Sequence, residues 1–154
     1  MDPLILWTVR LATLFYVLAL LRVHPKLSWT AGCLCFLAHV YAAFEFHHHW
    51  SHDSAHAETA LQTAKLFGIN SGNGIYFNYL FVMTWTADTA WWWINEKSRE
   101  TRAKWISASI HGFMAFMFFN GVVVFANGPI RWIGLAATAL ILLLRLNLFT
   151  KRSR

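Results

Sequence analysis

Apolar positions along this chain fall into five long runs separated by short polar stretches. A helix that crosses about 30 Å of hydrocarbon needs about 20 mostly apolar residues, and the runs at 3–21, 28–46, 75–94, 105–125 and 129–149 meet that requirement. The first run is read as a retained helix: Asp2 precedes it where a signal peptide would carry basic residues, Arg10 interrupts it, and no A-x-A-like cleavage site follows. Between the second and third runs, residues 47–69 contain no Pro or Gly before Gly68 and are rich in Ala, Leu and Glu, which favours helix. Asn70-Ser71-Gly72-Asn73-Gly74 then reads as a turn. The pattern predicts an all-α integral membrane protein, a single polytopic domain built as a bundle of five transmembrane helices. Span two should continue as a helical, His-rich extension, either rising above the membrane or bending along its surface, before the chain re-enters at Ile75.

Composition agrees with this reading. The chain is 57% hydrophobic and 13% charged, against about 45–50% and about 25% in soluble domains. The net charge of +6 does not point to nucleic acid, because the basic residues are distributed between the apolar runs instead of forming one patch. With five spans, ten of them (Arg22, Lys26, Lys97, Arg99, Arg102, Lys104, Arg145, Lys151, Arg152, Arg154) share one side, and only Arg10, Lys65 and Arg131 share the other. The positive-inside rule then predicts an outer N-terminus, a cytoplasmic C-terminus and a location in the cell's inner (cytoplasmic) membrane. Tryptophan sorts the same way: Trp29, Trp91, Trp92, Trp93 and Trp105 fall at the inner interface and Trp7, Trp50 and Trp132 at the outer one, with Trp85 left mid-span. Cys33 and Cys35 lie within an apolar run and read as small buried hydrophobes.

Candidate chemistry concentrates in the extension of span two. Five of the eight histidines lie between His47 and His56. On a continuous helix over 41–63, Glu45, His48, His49 and His56 lie within about 60° of His52, with His47 and Glu58 opposite. The His48, His52, His56 spacing stacks imidazoles one above the next, the arrangement by which one helix offers two ligands to one metal. Glu45, His48, His49, His52 and His56 are therefore the candidate metal ligands, and copper, zinc or iron would suit them.

Polar groups inside the runs are costly in hydrocarbon, by about 2.5–3.5 kcal/mol each on insertion scales for charged groups, and should face other helices. Asp88 and His111 reach similar depth and are expected to pair, leaving one imidazole nitrogen for a metal, a haem iron or a proton. Arg10 is expected to meet Glu45, directly or through water. Asn78 and Asn120 lie near the outer end, and His39 sits mid-membrane. His39 and His111 are the candidates for a haem or second metal site.

Three functions follow from these residues. The first is a membrane metalloprotein, conceivably an oxidoreductase, with its site on the extracytoplasmic face. The second is a non-catalytic subunit or assembly factor of a membrane complex, or a small proton or ion transporter; its partners would be the bilayer and either further copies of itself or other membrane subunits. The third is a haem protein. Nucleotide and serine-hydrolase chemistry is excluded by the absence of a P-loop, of GxGxxG and of GxSxG.

Overall fold

The computed structural model describes residues 2–125 and, beyond them, residues 131, 132, 134, 135, 138 and 139. Each helix begins where local chemistry favours a start. Asp2 caps α1 (Pro3–Leu20), its carboxylate accepting from the Leu4 N–H at 2.8 Å, with Pro3 in the first position, where a missing N–H costs nothing. A tight reversal with Arg22 and His24 at positive φ leads into α2 (Pro25–Ala43), again opened by proline. The last turn of this helix widens into a π turn over Phe44–His48. After α3 (His52–Phe67), Gly68 closes the helix in the left-handed conformation that glycine adopts without steric cost. Then come α4 (Gly74–Ile94), the short α5 (Glu96–Thr101) and α6 (Lys104–Phe119), which ends in a second π turn, Asn120–Val124. Among the described residues there is no strand.

Three helices are long and apolar enough to cross a membrane: Pro3–Leu20, Pro25–His48 and Lys104–Val124, with mean hydropathies of 1.8, 1.4 and 1.5. These correspond to the first, second and fourth apolar runs. The third run forms a helix of 21 residues, but its Asn, Thr and Asp residues and its indoles keep it out of that group. The fifth run, 129–149, lies largely outside the described residues.

The helices run alternately up and down. His39 of α2 reaches the Ile5 carbonyl at the start of α1, Trp93 at the end of α4 reaches Thr30 near the start of α2, and Phe67 at the end of α3 meets Phe125 beyond α6. One end of the bundle thus collects the tryptophan run 91–93, and the other collects the five histidines between His47 and His56. Helix α3 lies at the histidine end, with Leu61, Leu66 and Phe67 exposed along it.

Trp85 is the centre of the core, and Trp29, expected at the inner interface, is buried beside it. Trp85 is 1% exposed, and its ring contacts those of Tyr16, Trp29, Phe36, Phe81 and Phe118. Gly32 makes the space for it: a Cβ there would stand 2.7 Å from Trp85 Cζ2. Close packing of this kind, helped by a small residue at the contact, is what joins helices in lipid, where apolar burial between helices supplies little driving force. Cys33 is buried and Cys35 half-buried, both as free thiols in or beside this core.

Candidate functional site

At the tryptophan end the charged groups and the indoles of the 91–93 run are closed on one another, while the buried Trp29 indole N–H has no hydrogen-bond partner among the described residues. Asp88, 2% exposed, sits at the base of α4, and both of its oxygens meet guanidinium groups: Oδ2 accepts from Arg99 at 2.8 Å and Oδ1 from Arg102. These arginines, which the depth argument did not anticipate, belong to the connection that follows α4. Arg99 also lies 3.5 Å over the Trp92 ring, and Arg102 donates to Ser107 Oγ at 2.7 Å. Each indole of the 91–93 run has an acceptor: Trp91 donates to Ser98, Trp92 to Glu96 and Trp93 to Thr30. Lys26 joins α2 to this network through Glu96 at 2.8 Å while lying 4.5 Å over the Trp93 ring. The hydrogen bond from Lys26, followed by that from Trp92, holds the Glu96 carboxyl below the ordinary glutamate range.

The histidine end is built differently. The continuous helix over 41–63 does not form. After the π turn, His49 and Trp50 take φ of 49° and 57°, a left-handed conformation costing about 1–2 kcal/mol per residue without glycine. Ser51 then caps a new helix by accepting from the Ser54 N–H. The backbone break separates residues that a straight helix would have aligned. His48 ends on the π turn with Nδ1 3.4 Å from Ser54 Oγ and its ring against those of Phe44 and His47. Glu45 accepts from the Trp50 indole at 2.8 Å, and Arg10 lies 5.2 Å over the Trp7 ring, so among the described residues the expected direct Arg10–Glu45 pair is not formed. His49 is exposed at the break itself.

Two of the predicted ligands stay together. His52 and His56, one turn apart on α3, have ring centres 6.1 Å apart. Helix α4 brings a tyrosine pair to meet them: His52 Nδ1 is 2.9 Å from the Tyr79 hydroxyl, and the Tyr76 and Tyr79 rings each lie 5.8 Å from that of His52. His56 is set by the turn after α3, because a Cβ on the buried Gly72 would fall on its carbonyl oxygen and 2.5 Å from ring atoms Nδ1 and Cε1. The Nδ1 of His52 is thus engaged by the Tyr79 hydroxyl, while the ring of His56 packs close to the Gly72 backbone. Among the described residues, no three histidine, cysteine, aspartate or glutamate side chains gather closely enough to hold one ion.

The remaining candidates are dispersed. His39 shares its Nδ1 hydrogen with the Ile5 carbonyl at 2.9 Å. His111 lies edge-on to Trp29, with ring centres 5.5 Å apart. Trp29 and His39 are ten residues apart on α2, about 15 Å of helix rise, so the two candidate haem ligands sit at different levels. Asn120 donates to the Phe116 carbonyl at 2.8 Å, and Asn78 is exposed on α4.

Tyr76, Tyr79 and Gly72 were not singled out by sequence. The signal available was a tyrosine pair spaced to share one helix face at the point where the chain returns to an apolar run. Comparison with protein-family models, with curated proteins and with solved structures yields no match.

Proposed function

We propose that this chain is a five-span inner-membrane protein, N-terminus outside, that captures a transition-metal ion of the copper, zinc or iron class on its extracytoplasmic face through His52 and His56. The observation that carries this reading is the pair itself: two imidazoles one helical turn apart with ring centres 6.1 Å apart, that of His52 engaged at Nδ1 by the Tyr79 hydroxyl. A ring N–H held by a second group is the usual way in which a ligating histidine is fixed and its free nitrogen made more basic. With metal–nitrogen bonds of about 2.0 Å, a shared tetrahedral ion would draw two ring centres to about 5 Å. A small side-chain adjustment from the observed 6.1 Å closes that gap. His48, His49 and Glu45 belong to the bend and take no part. The alternation of helix direction and the basic bias of the tryptophan end support the orientation.

Metal analysis of the purified protein by mass spectrometry tests the assignment. Wild type and a His47→Ala/His48→Ala/His49→Ala variant should retain the ion, and His52→Ala/His56→Ala should lose it. Equal metal in all three proteins would overturn the site.

A second reading, a subunit whose partner completes the site, is favoured by the shortage of ligands within one chain. In either reading the redox or transport step would belong to the assembled complex.

A further inference from the structure

We infer that the ion bridges two copies of this chain, each contributing His52 and His56; the inference rests on the metal reading above. The argument begins with ligand supply. A four-coordinate ion of the zinc or copper type needs two more donors beyond the pair. Among the described residues no third His, Cys, Asp or Glu joins them, and residues 126–154 contain none of these four residue types. The fifth apolar run therefore cannot supply the missing ligands. The nearest phenol, Tyr79, is engaged with His52.

Symmetry then narrows the source. Two copies in one membrane share an orientation, so a twofold axis relating them runs along the membrane normal, and an isologous contact duplicates each residue across it. Two histidine pairs on such an axis give four imidazoles around one point, which matches tetrahedral coordination. His52 itself is exposed, at the first turn of α3. The Tyr76 ring beside it is 54% exposed and Trp50, two residues earlier in the chain, is 61% exposed, an aromatic rim suited to burial against its own copy. Zinc or copper would thus act as the joint of a dimer, with Tyr79 as the positioning residue that keeps Nε2 of His52 turned toward the ion.

Native mass spectrometry of the detergent-solubilised full-length chain, stripped with chelator and then titrated with Zn²⁺ or Cu²⁺, tests the bridge. The expected species is a dimer carrying one ion, returned to monomer by chelator and absent from His52→Ala/His56→Ala. Tyr79→Phe, which keeps the ring packing, should keep the same stoichiometry while weakening metal affinity by about 10–100-fold. A monomer carrying one ion would overturn the bridge and leave the metal reading intact. A dimer that persists after chelation or in the histidine variant would also overturn it. Failure of the wild-type chain to take up either ion would overturn both readings.

Discussion

At the tryptophan end, all three indoles of the 91–93 run have acceptors and both oxygens of Asp88 face arginines. At the histidine end, by contrast, His47 and His49 are exposed. Both ends are rich in rings and ionisable groups, so composition does not separate them. What separates them is closure. Groups whose hydrogen-bonding capacity is consumed by other parts of the chain specify how helices meet. Groups held on one side and open on the other, as His52 is by Tyr79, are prepared for something outside the chain.

The comparison breaks most decisively at Asp88. Removing one member of a buried ion network leaves the others uncompensated, at a cost of about 3–5 kcal/mol. Asp88→Ala should lower the thermal midpoint in detergent more than any single histidine substitution at the other end. If it melts like wild type, the tryptophan end is not the structural anchor described here. The reverse effect is expected at the bend: His49→Gly removes a strained left-handed residue and should stabilise the fold by about 1 kcal/mol with metal uptake unchanged. Loss of metal in that variant would restore His49 as a ligand. The smallest effect concerns Glu96. Because its folded carboxyl lies below the ordinary value of about 4.3, its contribution is complete above that value and lost as pH falls through the lowered one. Thermal midpoints of wild type and Glu96→Gln should therefore converge as pH drops from about 6 to about 3; a constant gap would remove Lys26 and Trp92 as the cause.

Several helix boundaries were legible because a residue there has a physical reason to set them: Asp2 and Pro3 open α1, Gly68 closes α3, and the turn at 70–74 precedes α4. A bend along the surface was one of the two expectations, but its place at 49–51 was not legible, since a stretch rich in Ala, Leu and Glu with no glycine or proline favours continued helix. Ser51 followed by Asp53 was the available sign of a new helix start, because a serine cap and an acidic first turn are both N-terminal signals. The ligands were thus visible as residue types, but their grouping depended on a backbone break that local preference opposes. Depth counting expected Asp88 to be enclosed by other helices, and it is buried, yet it could not reveal Arg99 and Arg102, whose charge had already been assigned to topology.

That double assignment has a consequence in time. In the proposed orientation Arg99 and Arg102 belong to the positive loop that stays in the cytoplasm as the chain inserts. Once α4 is in place, the same two side chains fold back onto Asp88, eleven and fourteen residues earlier in the chain. In that orientation the charges that would direct insertion are also those that neutralise Asp88, so the inner loop would act first as a compass and afterwards as a latch, making it costly for α4 and α6 to reverse their orientation.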